Sequence, residues 1–271
     1  MAVSPMVPAG RLVRLGVVLD ASSDGALVER SAVLAERAGI DALWLAPLTA
    51  ADPPPSDVLL DRLGAAARNT TTLVLGAFLE TVPASVPAAL QGRLEATVPA
   101  AALGARLAPA GLCRVDPWIP DPAGEEPGRF AYRNGGQTAQ AGELVVVPAA
   151  AVPAWPPTPV PLAVVASCSI GRTSAEARAR ADADPLFAVV GHPAAGGVFG
   201  TLEECQERVV DLARCGVVDV RCVLPACPDV HDVIAQLSAV ATGTLDVLGR
   251  GGRSAAPPPP EGWGGRRHPS Q

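Results

Sequence analysis

Along this chain, apolar runs of strand length alternate with segments in which apolar residues recur every three to four positions. The first runs are 11–20 (RLVRLGVVLD), 41–46 (DALWLA) and 71–79 (TTLVLGAFL), and helical periodicity covers 25–38 and 56–68 between them. Continuous apolar strands separated by helices are typical of a parallel sheet that is covered on both faces. The pattern therefore predicts an α/β protein.

The second half of the chain continues this alternation. Its apolar and periodic segments predict strands over 112–115, 161–167, 186–191 and 217–225, and helices over 174–183, 201–215 and 230–241. Residues 86–107 are Ala-rich and carry only weak helical periodicity. Capping residues support several boundaries: Thr201 and Glu204 form a capping box, Ser56 is a predicted N-cap, and Gly39 fits a helix C-terminus.

Two segments differ in composition from the rest. Residues 116–161 collect Pro, Gly and polar residues around two short β-like stretches, 129–133 and 143–147, which predict a surface hairpin or insertion outside the core. From residue 250 onward, Gly, Pro and Arg dominate and predict a disordered tail. We therefore expect one domain over 1–249 and a tail over 250–271.

Composition excludes several function classes. The 271 residues are 49% hydrophobic and 18% charged, so the chain can bury a core. All 21 basic residues are Arg, which excludes Schiff-base lysine enzymes, pyridoxal enzymes with an internal aldimine, and P-loop phosphate binding. The net charge of −6 without a basic stripe gives no expectation of nucleic-acid binding.

Targeting and metal signals are also missing from the sequence pattern. The apolar runs are short and interrupted, so no membrane span is expected, and Met1–Asp20 is interpreted as a strand rather than a signal peptide. A cytoplasmic location follows as the expectation. The six Cys have no paired spacing and the three His do not complete a zinc site, so we expect reduced thiols and no metal.

Several segments, taken in order, resemble the luciferase-like monooxygenase family of flavin- and deazaflavin-dependent oxidoreductases. Ala35–Trp44 (AERAGIDALW) is similar to the family's first helix end and second strand. Val198–Cys205 (VFGTLEEC) and Ala213–Val217 resemble its last helix and the start of its final strand, and Tyr132–Gly142 with Trp155–Pro157 resembles its mid-chain hairpin. The resemblance spans about residues 11–80 and 129–245.

This resemblance implies a TIM-type (β/α) barrel that binds FMN or a deazaflavin at the carboxyl ends of its strands, and a dimer formed through the early helices. Without the mid-chain insertion and the tail, too few residues remain for eight ordinary barrel units. We therefore expect a contracted or incomplete barrel, for which the family offers a precedent in the nonfluorescent flavoprotein. The partner would be a second copy of this chain or a related barrel.

Candidate catalytic residues follow from the predicted strand ends, where barrels of this type place their chemistry. These ends offer Asp20, Glu80, Arg114, Asp116, Ser167 and His192. His192 is a candidate general acid or base because imidazole is the side chain that most often transfers protons near neutral pH. Glu80 follows Gly76 and Ala77, whose small side chains would allow a flat ring to approach; alternatively, it is a solvated carboxylate.

Candidate cofactor ligands lie mainly after the strand over 161–167. Ser167, Ser169, Gly171 and Arg172 combine hydroxyls, helix-start amides and a guanidinium, which suit a phosphate group. The alternative is that this loop only begins a surface helix at Thr173. Asp20 either hydrogen-bonds a flavin edge or caps the next helix.

Three functions remain open at this stage. The first is a luciferase-like oxidoreductase or monooxygenase that acts on an unknown small organic substrate. The second is a catalytically degenerate flavin-binding relative or partner subunit, because Ala46-Pro47-Leu48-Thr49 stands where many deazaflavin-using members carry an Asp-His-type pair. The third is an unrelated barrel enzyme with a phosphate site.

Trp44 is expected in the core, and Trp118 and Trp155 are expected either to shield a pocket or to pin the insertion.

Overall fold

A computed structural model describes residues 13–49, 54–99, 110–118, 144–154, 161–226 and 230–251. Its strands are β1 (Arg14–Asp20), β2 (Ala42–Ala46), β3 (Val74–Phe78), β4 (Leu94–Pro99), β5 (Leu112–Trp118), β6 (Val145–Pro148), β7 (Leu162–Ile170), β8 (Val198–Gly200) and β9 (Val217–Val223). Its α-helices are α1 (Gly25–Arg37), α2 (Ser56–Arg68), α3 (Ser174–Ala183), α4 (Pro185–Val190), α5 (Leu202–Arg214) and α6 (Val230–Gly251).

Eight of these strands close into a parallel barrel. The ring runs from β1 to β7 in chain order and returns through β9, which pairs with both β7 and β1. The short strand β8 lies outside the ring and pairs with the carboxyl end of β7. The predicted TIM-type fold is confirmed. The barrel is closed, so the expectation of an incomplete one is wrong.

The contraction is found in the connections between strands. Between β3 and β4, residues 79–93 contain one 3₁₀-helix, Ala88–Leu90, where an ordinary barrel unit has an α-helix. A second 3₁₀-helix, Ala149–Ala154, follows β6. Strand pairing satisfies the backbone whether or not a helix covers it, so the ring closes although the described connection between β3 and β4 contains no α-helix.

The predicted strand over 186–191 is wrong, because the chain forms helix α4 there. Asp184 accepts a hydrogen bond from the Leu186 amide at 2.9 Å, and Pro185 occupies the first turn. Gly191 ends the helix with a φ of 104°. An acidic N-cap followed by proline favours a helix start strongly enough to override the β-branched composition of the segment.

Two further assignments are corrected by the strands of the barrel. Residues 94–99, inside the Ala-rich stretch with weak helical periodicity, form β4, which pairs with β3 and β5. Residues 145–148, expected in a surface hairpin, form β6 in the ring. The range 116–161 is therefore not wholly an insertion. The predicted segment 129–133 lies outside the described residues. Of the tail predicted over 250–271, residues 250 and 251 belong to α6, and the rest lies outside the described residues.

Most helix boundaries agree with the sequence. The capping box of α5 is confirmed, since Thr201 accepts from the Glu204 amide and the Glu204 carboxylate accepts from the Thr201 amide. Gly39 follows α1 with a φ of 72°, as expected of a residue past a helix end. Ser56 is not the N-cap of α2, because the N-cap position is occupied by Pro55.

Alternate residues of β2 lie on opposite sides of the barrel wall. Leu43 and Leu45 of β2 belong to the large core between the barrel wall and the helices, whereas Trp44 belongs to a separate cluster inside the ring. This is the period of two that a strand imposes on its side chains. Within the described residues, none of the helices combines the length and apolar character that a membrane span requires.

Candidate active site

A cavity of about 550 Å³ opens at the carboxyl ends of the barrel strands. It is bounded by the ends of β2, β3, β4 and β5, by one residue of β7, and by the start of α2. Its lining consists of Ala46, Pro47, Leu48, Pro54, Pro55, Ser56, Leu59, Phe78, Leu79, Glu80, Thr97, Val98, Pro99, Trp118 and Val165. This volume and largely apolar lining are typical of a small-molecule site.

Aromatic rings lead from the barrel interior into the cavity. Trp44 packs edge-on against Phe78 with centroids 5.9 Å apart, and Phe78 packs edge-on against Trp118 at 5.8 Å. Phe78 and Trp118 line the cavity, while Trp44 is fully buried beneath them. The expected core position of Trp44 is confirmed, and Trp118 lies at the pocket, as one of its two alternatives predicted.

Glycine in β3 makes room for this arrangement. A Cβ atom on Gly76 would lie 2.1 Å from Cε3 of the Trp44 ring. The small residues before Glu80 were expected to admit a flat ring from a ligand. At Gly76 the space is instead filled by the chain's own indole.

Arg221 forms the floor beneath these rings. Its guanidinium is fully buried and stacks on Trp44 with Cζ 3.7 Å from the ring centroid. It donates to Asp116 Oδ2 at 2.5 Å and to Thr97 Oγ1 at 2.6 Å. Burial raises the pKa of Asp116, an effect that the Arg114 and Arg221 charges only partly offset. The floor is therefore a fixed polar platform under an apolar cavity.

A second group of charges fills the barrel towards the amino ends of its strands. Arg14 donates to both oxygens of Glu95, at 2.8 and 2.7 Å, and to Asp219 Oδ2 at 2.6 Å. Arg114 also reaches Glu95 Oε2, at 2.7 Å. Burial disfavours the Glu95 charge, yet the neighbouring Arg14 and Arg114 keep its pKa below the usual value. Asp219 joins the two groups through Arg221 Nε at 3.2 Å.

This interior explains which residues the sequence reasoning missed. Thr97, Asp219 and Arg221 were not singled out, although each stands in an otherwise apolar strand at an inward position. Polar residues two apart in a buried strand, such as Asp219 and Arg221, are the signal that could have found them. Arg114 and Asp116, expected at a strand end, contribute to the interior instead.

The predicted site residues are separated by the structure. Glu80 lies at the cavity and is exposed at its rim. Asp20, at the end of β1, accepts from the Ser22 amide at 2.8 Å and from the Thr49 hydroxyl. Asp20 does not cap α1, whose N-cap position is Asp24.

His192 is not at a strand end, because the segment before it is helix α4. It caps a 3₁₀-helix (Pro193–Ala195), with Nδ1 accepting from the Ala194 amide at 3.2 Å. Its Nε2 lies 3.1 Å from Asp182 Oδ1. The cavity lining does not include His192.

The loop after β7 uses many of its polar groups internally. Ser167 donates to Gly191 O at 2.8 Å, and the buried Ser169 donates to Ala177 O at 2.8 Å. The Gly171 amide bonds to Gly200 O, and a Cβ there would meet the Ala177 nitrogen at 2.6 Å.

Helix α3 begins directly after this loop, as its alternative interpretation expected. Thr173 caps the helix by accepting from the Glu176 amide at 3.1 Å. Arg172 is 90% exposed, and its Nε lies 3.3 Å from Glu176 Oε2. The Arg172 side chain is the one group of the predicted phosphate set that reaches into solvent to this extent.

A metal site is not evident in the described part of the chain, which contains no cluster of three or more His, Cys, Asp or Glu residues suited to an ion.

The buried thiols support a packing role. Burial and the neighbouring Cys168 and Glu204 raise the pKa of Cys205 well above its ordinary value, so this thiol stays protonated at neutral pH.

Comparison with known proteins gave matches in structure only. No family model matches the sequence, and no curated protein is significantly similar to it. An F420-dependent secondary alcohol dehydrogenase in complex with an F420–acetone adduct superimposes with a TM-score of 0.58 at 13% identity, covering 86% of this chain and 99% of that one. A monooxygenase from Streptomyces bottropensis gives 0.58 at 14% identity, with 87% and 100% covered.

A third solved structure extends the similarity to an FMN complex. The oxygenating constituent of a type II Baeyer–Villiger monooxygenase from Pseudomonas putida, in complex with FMN, gives a TM-score of 0.57 at 13% identity, with 86% and 99% covered. The similarity at this level of identity concerns the fold. The chain shares the TIM-type barrel fold of these three solved structures, as the resemblance predicted.

Proposed function

We propose that this chain is an oxidoreductase that binds FMN or a deazaflavin and acts on a small organic substrate. The observation that carries the proposal is the aromatic-lined cavity at the carboxyl ends of a closed parallel barrel, the face at which barrels of this type hold their active sites. The solved structures named above, with F420 or FMN among their ligands, support this choice.

The lining suits a flat, largely apolar ring. Phe78 and Trp118 offer aromatic surfaces, and the small side chains of Ala46 and Pro47 at the end of β2 leave room beside them. Leu48 and Val165 add apolar side chains to the same lining. When bound, the cofactor supplies the redox chemistry, which explains why the protein needs few reactive side chains.

Of the two candidate catalytic residues, Glu80 is the better placed. Its carboxylate lies at the cavity rim, where it can accept or donate a proton beside a bound ring. His192 lies in another loop, against Asp182, and acts in this proposal only if a substrate reaches that loop. Replacement of Glu80 by Gln is expected to slow turnover without abolishing cofactor binding.

The loop after β7 remains the proposed phosphate site, with Ser167, Ser169 and Gly171 shaping it and Arg172 as the charged ligand. Arg172 forms an exposed pair with Glu176, which contributes little stability and can be exchanged for a phosphate. The Arg172→Ala variant should therefore weaken cofactor binding. Arg214→Ala removes a similarly exposed Arg from the Asp211 pair on α5 and serves as the control. Equal affinity of the two variants would discard the assignment.

A second function, cofactor binding without turnover, is supported by the chemistry of the lining. Ala46, Pro47 and Leu48 border the cavity where an acid–base pair was looked for, and Glu80 is the sole ionisable residue that the described lining contains. A degenerate relative or partner subunit would keep the cofactor-binding cavity and lose catalytic turnover. Turnover with a reduced cofactor separates the two functions.

The experiment that tests cofactor binding is a titration of the purified full chain with FMN and with F420, followed by cofactor absorbance and fluorescence. Saturable binding of either is expected, with quenching of Trp fluorescence because Trp118 borders the cavity. Lack of binding to both at high micromolar concentration would refute the proposal. The expected dimer and cytoplasmic location remain predictions.

A further inference from the structure

Thr97 is the most deeply buried hydroxyl that borders the cavity. Its side chain is 1% exposed, whereas Ser56 is partly exposed and Glu80 is exposed at the rim. It lies on β4, opposite Phe78 of β3 in the strand register. A ligand that fills the inner part of the cavity therefore meets this hydroxyl beside apolar lining residues such as Phe78 and Val98.

The partner of this hydroxyl excludes one direction for its proton. Arg221 Nη1 donates to Thr97 Oγ1 at 2.6 Å, and a guanidinium has no acceptor to offer in return. Arg221 cannot turn away, because Asp116 and the Trp44 ring hold it on two sides. The hydroxyl proton must therefore point elsewhere.

Within the described residues, no side chain or carbonyl accepts this proton. Thr97 Oγ1 is recorded in one hydrogen bond, the one that it accepts from Arg221. Thr70, at the opposite end of the barrel, shows the complete arrangement: its hydroxyl accepts from Arg93 Nη2 at 2.6 Å and donates to Ala66 O at 3.0 Å. A buried hydroxyl without an acceptor is unfavourable, so an acceptor from the bound molecule completes the set.

We propose that Thr97 orients the ligand by donating its hydroxyl proton to an acceptor on the inner edge of the bound ring. This inference rests on the proposed function and deepens it. The acceptor is a carbonyl oxygen or an unprotonated ring nitrogen that lies in the plane of an aromatic ligand. A ring that presents an N–H at this edge is disfavoured, because Arg221 and Thr97 would then place a donor against a donor.

The test compares the affinities of FMN and F420 for wild type and four variants of the full chain. Thr97→Val keeps the shape and removes the hydroxyl, and Thr97→Ala removes it without adding bulk. Thr97→Ser restores the donor. Thr70→Val is the matched control, because it removes a buried hydroxyl that also accepts from an Arg but lies away from the cavity.

Loss of one buried hydrogen bond should weaken binding about tenfold in Thr97→Val and in Thr97→Ala. The cofactor affinities of Thr97→Ser and Thr70→Val should stay within about twofold of the wild-type value. Thr70→Val and Thr97→Val should both lose thermal stability, because each removes a buried hydrogen bond. Equal affinities for wild type and both hydroxyl-free variants would overturn the role of Thr97 and leave the proposed function standing. If wild type itself binds neither cofactor, the proposed function fails, and the inference fails with it.

Discussion

Removal of one carboxylate from the barrel interior should cost this protein a large part of its stability. Asp219 Oδ2 accepts from Arg14 at 2.6 Å and from Arg221 at 3.2 Å, and Arg114 lies 3.5 Å away. The Asp219→Asn substitution keeps the shape of the side chain and removes its charge. Among the described residues of the interior, three guanidinium groups face three carboxyl groups: Arg14, Arg114 and Arg221 against Glu95, Asp116 and Asp219. The variant therefore leaves one positive charge of this network uncompensated.

Breaking a buried ion pair in this way costs about 3–5 kcal/mol. A folded domain is stable by only about 5–15 kcal/mol, so the loss is a substantial fraction of the whole. In urea unfolding followed by circular dichroism, the midpoint should fall by about 1–2 M. The matched control is Asp211→Asn on α5, which breaks an exposed pair with Arg214 at 3.0 Å and should cost about 0.2–1 kcal/mol.

The difference between wild type and Asp219→Asn should also depend on pH. Burial opposes the Asp219 charge, but Arg14 and Arg221 lower its pKa below the usual range. A lowered pKa in the folded state contributes stability above the unfolded pKa, about 3.9, and loses it as the pH falls further. The difference should therefore be full at pH 7 and shrink below pH 4. If Asp219→Asn is no less stable than Asp211→Asn at pH 7, the buried network does not hold the barrel as argued.

Three other predictions concern the barrel wall and its helices. Gly76→Ala should destabilise the fold by about 1–3 kcal/mol, because its Cβ collides with Trp44; an unchanged thermal midpoint would show that the indole moves aside easily. Burial opposes ionisation of Glu36, yet hydrogen bonds from the backbone amides of Thr72 and its neighbours lower its pKa from 4.5 to about 2. Glu36→Gln should therefore lower the free energy of unfolding by about 1–2 kcal/mol after solvent screening. In urea unfolding measured at several pH values, this loss should be full above pH 4.5 and disappear towards pH 2. Thr201→Ala should cost about 1 kcal/mol in the same assay and Thr201→Ser almost nothing, and equal losses would deny the capping box its role.

Local patterns predicted most of the elements of this protein because their signals lie within a few residues of one another. The capping box at Thr201, the apolar strands near the amino terminus and the helix before Gly39 are examples. The failures have local causes as well. At 186–191 the composition is typical of a strand, but the helix-start residues Asp184 and Pro185 produce a helix. At 94–99 the surrounding Ala-rich sequence indicated a weak helix, whereas the strand forms because it pairs with β3 and β5.

The candidate site was less predictable than the fold. Glu80 was found from the sequence because it follows a buried strand, and it lies at the cavity. Thr97 and Arg221 were not found, because their meeting depends on two strands 124 residues apart in the chain. His192 was assigned to a strand end that does not exist. A site built from strand ends can be located only as well as the strands themselves.

By itself, the sequence determined the alternation of strands and helices, the parallel sheet and the exclusion of lysine chemistry, since these depend on periodicity and residue type. The tertiary structure decided that the ring closes and what fills it. Arg14 meets Asp219 across 205 residues, and Arg221 meets Asp116 across 105. Such pairs form only when closure fixes the stagger of all eight strands, and no local pattern encodes that stagger. The same closure turns apolar strand ends into a cavity with a polar floor.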